Sequence, residues 1–260
     1  MVSSPSLGIA TVLVPKASAV LADRLRELIL SKGAPEGTSL PTERELMVQS
    51  GLSRASVREA LRVLETEGLI LTKSGRNGGS MVRRPGHEGV SRSLDLFVRS
   101  HDVRFEAVLE VREAIEPAAA RLAALHRTDA DLDAIRAAQH RLEAAAENIA
   151  QFVRANLDWH LAVVTASQNE LLVAFFTAMT QPIHAATEYS SLNTSEVRQK
   201  VVRVHEQVME AIIARDADAA FRRMLRHVSA YAGLARRLAS DGSGGVGWTM
   251  RSNGNRRGGR

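Results

Sequence analysis

Cysteine is absent from the chain. That excludes a disulfide framework and any thiolate metal centre. Aromatic residues make up only 4% of the sequence, although hydrophobic residues reach 45%. An interior rich in Ala and Leu but poor in rings suits packed helices better than a β-sandwich. No window approaches the roughly 18 consecutive apolar residues of a spanning helix. The N-terminus also lacks the charged-then-apolar layout of a secretory signal. The expectation is a soluble, cytoplasmic protein with no membrane partner. What is present is 260 residues, room for one large or two ordinary domains.

Charge divides the chain unevenly. Residues 16–92 hold 13 Lys+Arg against 9 Asp+Glu, a net +4. Residues 93–240 hold 17 against 19, a net −2, and residues 241–260 carry +3. The basic excess therefore sits on the first segment and the tail. This predicts two domains, only one of which faces nucleic acid. The tail DGSGGVGWTMRSNGNRRGGR has the composition of a disordered segment.

The stretch from Thr42 to Gly68 carries the strongest local signal. Thr42 and Glu45 have capping-box spacing at the start of one helix. Gly51 is placed to end it, and Ser53 to cap a second. Val57, Ala60, Leu61 and Leu64 fall on one side of that second helix. Arg54, Arg58 and Arg62 fan out beside them. Two helices, a glycine turn, and arginines opening the second make a helix-turn-helix, whose second helix enters a major groove N-terminus first. The segments 69–73 and 80–84 read as two short strands, with Asn77-Gly78 as hairpin turn. Lys73, Gly75 and Arg76 would bring positive charge and backbone N–H groups to a phosphate. Ahead of this, 17–31 has the spacing of an amphipathic helix, with Val20, Leu21, Leu25, Leu28 and Ile29 as its apolar face.

The second half is predicted to be six helices over 104–126, 129–147, 149–167, 169–190, 195–214 and 217–239. Phe105, Val108, Leu109, Ile115 and Leu122 are expected to line one face of the first. Asn156 and His160 stand four apart, so both leave one helix face. His205 interrupts the apolar run Val201, Val208, Ile212, and His227 lies between Met224 and Tyr231. Three imidazoles and an amide oxygen from three helices suit a divalent ion, zinc first, with nickel or manganese the other candidates. Taken singly, each histidine reads as a core residue satisfied by a neighbour. Arg112, on the edge of an apolar face, reads from its spacing as a surface ion-pair partner of Glu116, four residues on; the resemblance given below supplies a second reading.

The run LPTERELMVQSGLSRASVREALRVLETEGLI resembles the winged-helix domain of the GntR family of bacterial transcription regulators. The resemblance implies operator DNA as partner, touched through Arg44, Ser53, Arg54, Ser56 and Arg58 and through wing-tip Ser74 and Gly75. The segments VLEVREAIEPAAARLAA, NLDWH and VHEQVMEAIIARDADAAFRRMLRHV resemble the FCD effector domain of the FadR subfamily. There the metal ligands correspond to Asn156, His160, His205 and His227. Many members carry Asp where this chain has Asn156, which leaves the site more positive and more welcoming to an anionic oxygen. Arg112 would point into the effector cavity and hold the carboxylate of a small organic acid. The implied protein is mainly α: a winged helix-turn-helix at 17–84, a linker at 85–92, an all-helical ligand-binding and dimerisation domain at 93–240, and a basic tail at 241–260. It would be a homodimeric, ligand-responsive repressor and not an enzyme. The alternatives are a metal-dependent hydrolase, since three histidines can activate water, and a non-specific DNA-binding protein.

Overall fold

A computed structural model describes residues 14–31, 33–73, 79–101, 103–187 and 193–240. The wing tip with Ser74, Gly75 and the Asn77-Gly78 turn lies outside the described residues, as does the basic tail. The chain divides into two units between Gly89 and Val90.

In the first unit, α1 (Ala17–Ser31), α2 (Glu43–Ser50) and α3 (Arg54–Thr66) precede strands β1 (Ile70–Lys73) and β2 (Gly79–Val82). Both expected caps form. The Thr42 hydroxyl accepts from the Glu45 backbone N–H, and the Glu45 carboxylate accepts from the Thr42 N–H. Gly51 closes α2 in the left-handed region at φ 70°, a conformation that a Cβ would penalise. Ser53 then caps α3 by accepting from Ser56 N. Leu21, Leu25 and Ile29 of α1 pack on Val57, Ala60, Leu61 and Leu64 of α3 and on Ile70 and Val82 of the strands. Val20 and Leu28, expected on the apolar face of α1, are instead about half exposed, and Ala22 is buried in their place. Arg26 clamps Glu67 with two bonds of 2.9 and 2.6 Å and so ties α1 to the end of α3. The strands pair antiparallel with Ile70 opposite Val82, and Ser39 adds one bridge to Met81.

Among its described residues, the regular structure of the second unit is all helix. α4 runs His87–Ser100, α5 Phe105–His126, α6 Asp129–Ala144, α7 Ile149–Ala166, α8 Glu170–Thr187, α9 Ser195–Ile213 and α10 Ala217–Ser240. The helix begins at His87, so the break expected across 85–92 is confined to its first residues. The six predicted helices all appear, most within two residues of their expected ends. α5 and α10 pack along each other, with α7 and α9 also against α5. One core centres on Ile135, Trp159, Val163, Val208, Ile212 and Met224. Another gathers Phe105, Val108, Leu109, Leu157, Phe176 and Ile183. The inward face of α5 departs from expectation after Leu109. Arg112 and Glu116 are buried, whereas Ile115 and Leu122 are only partly so. This places a charged pair where the apolar pattern called for branched aliphatics.

Candidate functional site

On the first unit, Arg44, Arg54 and Arg58 are all exposed, beside a helix whose opposite face is core. Arg58 retains 63% of its side-chain surface while standing 3.6 Å from Glu43, a contact that a stronger anion can displace. Ser53 and Ser56 hold each other, their hydroxyls 3.1 Å apart at the start of α3. The arrangement presents two guanidinia and two hydroxyls from one helix N-terminus, whose own dipole favours phosphate.

On the second unit, four helices bring a polar cluster into the interior. The i, i+4 spacing places Arg112 and Glu116 together on α5, and Asn156 and His160 together on α7. His205 comes from α9; His227 and Tyr231 come from α10. His160, His205 and His227 are 1%, 0% and 9% exposed. Their ligand atoms lie within 4.8 Å of one another. His227 Nε2 is 3.0 Å from His205 Nε2 and 3.3 Å from His160 Nε2. The His205 ring stacks on Trp159 with centroids 3.8 Å apart, which fixes its plane.

Glu116, which one of the two readings of Arg112 makes a surface ion-pair partner, is an interior residue. It is 1% exposed and sits between the Arg112 guanidinium and the His160 ring. Its Oε1 accepts from Arg112 Nε at 2.5 Å, and its Oε2 stands 2.6 Å from His160 Nδ1. A carboxylate this near Nδ1 favours the ring proton there, which leaves the Nε2 lone pair to Arg112 Nη2, 3.4 Å away, and to the side of His227. The Arg112–Glu116 pair is therefore real but internal. Burial would raise the Glu116 carboxyl, yet Arg112 and His160 more than reverse this and hold it well below the usual carboxylate range. Burial pushes His205 and His227 well below the ordinary imidazole value, helped by the neighbouring rings and Arg112. His160 is also lowered by burial, against the pull of Glu116. Burial drives the Tyr231 hydroxyl up to about 12.

The donor set fits a divalent cation. Two Nε2–Nε2 contacts meet at His227, and its single ring proton can serve only one of them; the remaining donor near His160 Nε2 is Arg112 Nη2, at 3.4 Å. Nitrogens held about 2.0–2.1 Å from a tetrahedral ion lie about 3.3–3.4 Å apart, near the 3.0 and 3.3 Å that separate His227 Nε2 from His205 and His160, while the full set spans up to 4.8 Å. Asn156 Oδ1 is buried without a hydrogen-bond partner. It lines a small chamber of about 20 Å³ together with Arg112, Asn193, His227 and Tyr231. A buried amide oxygen left without a proton donor is costly, and a cation or an ion-bound water relieves it. The structure thus gathers all four sequence-derived ligand candidates and Arg112 about one region. Asp158 and Glu206, the carboxylates nearest in sequence to His160 and His205, are exposed and offer the cluster no general base for hydrolysis. Glu116 and Asn193 were missed. Glu116 was legible as the i+4 partner of Arg112, but nothing local marked Asn193, which the start of α9 delivers.

A helix-turn-helix with exposed arginines on its second helix, in one chain with a helical body enclosing a histidine cluster, defines a DNA-binding transcription regulator. Residues 17–78 match the family described as bacterial regulatory proteins, gntR family, and residues 107–230 match the FCD domain. The chain is 32% identical over 226 residues to the Escherichia coli K12 protein named "Putative L-lactate dehydrogenase operon regulatory protein", covering 84% of this chain and 86% of that one. It is 31% identical to the Glc operon transcriptional activator of the same strain, over 80% of this chain and 85% of the other. The fold is also that of a Streptococcus agalactiae GntR structure, with a TM-score of 0.68, 24% identity and coverage of 83% and 99% of the two chains. The chain belongs to the gntR family of bacterial regulatory proteins, whose members are regulators and not enzymes.

Proposed function

We propose that this regulator is a homodimeric repressor whose helical domain, residues 93–240, holds a divalent metal and responds to a small organic acid. The observation that carries this reading is the convergence of three Nε2 atoms backed by the buried Glu116. His160, His205 and His227 would be ligands, with Asn156 Oδ1 a fourth, and zinc is the ion favoured by a nitrogen-rich set without thiolates. Bound there, the ion supplies a positive coordination position for an effector oxygen. Arg112 faces the same chamber, so its guanidinium would hold the effector carboxylate. Two DNA-binding heads, residues 17–84, would read a near-palindromic operator. Arg54 and Arg58 would reach base edges. Arg44, Ser53, Ser56 and the wing-tip Ser74 and Gly75 would hold the phosphates and fix the register. Residues 85–92 would act as the linker. Effector binding would change operator affinity, and operator binding would change effector affinity by the same factor.

The test is a thermal-shift screen of small organic acids on the full-length protein, with and without chelator. An acid that raises Tm only when metal is present supports the reading. If chelator alters neither Tm nor any acid response, the metal-linked effector site is wrong. In parallel, Arg58→Ala should cost about 1–3 kcal/mol of discrimination between operator and scrambled duplex. An equal loss on both duplexes at matched salt would show that Arg58 meets only phosphate.

A further inference from the structure

The inner chamber is too small for an organic acid. At about 20 Å³ it has room for about one water. A much larger cleft of about 750 Å³ lies between α9 and α10. The two share Val197, Val201, His227 and Tyr231 as lining, so the large cleft opens onto the same wall as the small one. Its charged lining residues are Lys200, Arg223, Arg226 and Arg237, with no carboxylate side chain among the lining residues. Arg223 stands 3.6 Å from Glu210 and donates to the Gln207 carbonyl. Lys200 and Arg226 have no ion-pair partner among the described residues.

We infer that the cleft between α9 and α10 is a second anion subsite, continuous with the metal-side chamber, and that the effector is an acid with a second anionic group at its far end. The inference rests on the effector reading above. Only a single oxygen of the head group enters the inner chamber, beside Arg112 and His227. The body of the molecule must then pass Val197, Val201 and Tyr231 into the cleft. There a distal carboxylate or phosphate meets cations of one sign in a concave setting, where mutual repulsion is relieved by an anion. A 2-hydroxy or 2-oxo acid with a terminal carboxylate or phosphate satisfies both ends. A monocarboxylate of the same length leaves Lys200 and Arg226 unused.

Three probes of matched length separate the cases: 2-hydroxypentanoate, 2-hydroxyglutarate and 3-phosphoglycerate. Each is titrated by calorimetry into the zinc-loaded full-length chain and into the double variant Lys200→Gln/Arg226→Gln. Both substituted side chains are exposed, and zinc content of the variant checks that the body is intact. The expected result is that at least one of the two probes with a distal anionic group binds tenfold or more tighter than 2-hydroxypentanoate, and that the double variant erases the difference. Equal binding of all three probes overturns the inference, as does a preference that survives in the variant. A variant that instead loses operator affinity without any acid present also overturns it, since the cleft would then serve DNA phosphates. The two readings fail differently. A chelator-sensitive response to 2-hydroxypentanoate with no preference for a distal anionic group removes the second subsite and keeps the metal-linked effector site. A preference for that group that depends on Lys200 and Arg226 but ignores chelator keeps the cleft and removes the metal link.

Discussion

At the scale of single residues, the organising contact is Glu116 with His160. A carboxylate behind a ligating imidazole orients the ring and raises its basicity, and loss of such a partner costs about 10–100-fold in metal affinity. Glu116→Gln keeps the shape and removes the charge, so zinc affinity measured by competition with a chelating dye should fall within that range. An unchanged affinity would reduce Glu116 to a counter-ion for Arg112. A second consequence concerns pH. His205 and His227 are held well below the ordinary imidazole value by burial. Their folded-state values are depressed, so the unfolded chain takes up protons first as pH falls through about 6.5. The stability they contribute is present above that pH and is lost below it. Chelator-treated protein should therefore show a falling urea midpoint between pH 7.5 and 5.5. A flat or rising midpoint would mean that the rings are accessible and free to protonate. These residues were legible as candidates from their joint helical spacing together with the resemblance to the FCD domain. Burial of the pair behind them was not, because a sequence shows that Arg112 and Glu116 stand four apart but not whether water reaches them.

At the scale of elements, capping and spacing defined most helices in advance. Ser and Thr caps, Gly51 and the arginine stripe of α3 act within one or two turns, so their signals are local. The same holds at the start of α6. There Thr128 and Asp131 form a second capping box, and Gln168 donates to the Asp131 carboxylate at 2.7 Å. Thr128→Ala should cost about 1 kcal/mol and lower Tm without changing zinc content. A loss of zinc as well would tie the α6 cap to the histidine cluster, contrary to this account. α5 shows where local signals end. Ile115 and Leu122 suggested the inward face, yet the helix is turned so that Arg112 and Glu116 point in. Paired charges with partners on α7 can occupy an interior that apolar periodicity assigns to aliphatics. Only the neighbouring helices decide this, and they are far away in sequence. The strand pair was placed to within a residue or two, whereas its tip lies outside the described residues.

At the scale of the whole molecule, the two units divide the work that the charge distribution suggested. The basic excess accompanies the helix-turn-helix, and the nearly neutral second unit encloses the polar cluster. No described helix is long and apolar enough to cross a membrane. Among relatives, one is named an operon activator and another, NanR, a repressor, so shared architecture does not fix the sign of regulation. The account as a whole depends on the imidazole cluster being a metal site, since effector binding and its link to DNA are built on it. The most direct measurement is equilibrium dialysis of the full-length chain against zinc, with metal determined by mass spectrometry, for the natural sequence and for His160→Ala, His205→Ala and His227→Ala. One tight equivalent per chain, lost in all three variants while their helical circular dichroism persists, is the predicted result. A natural chain that retains no zinc, or variants that retain as much as it does, would contradict the account.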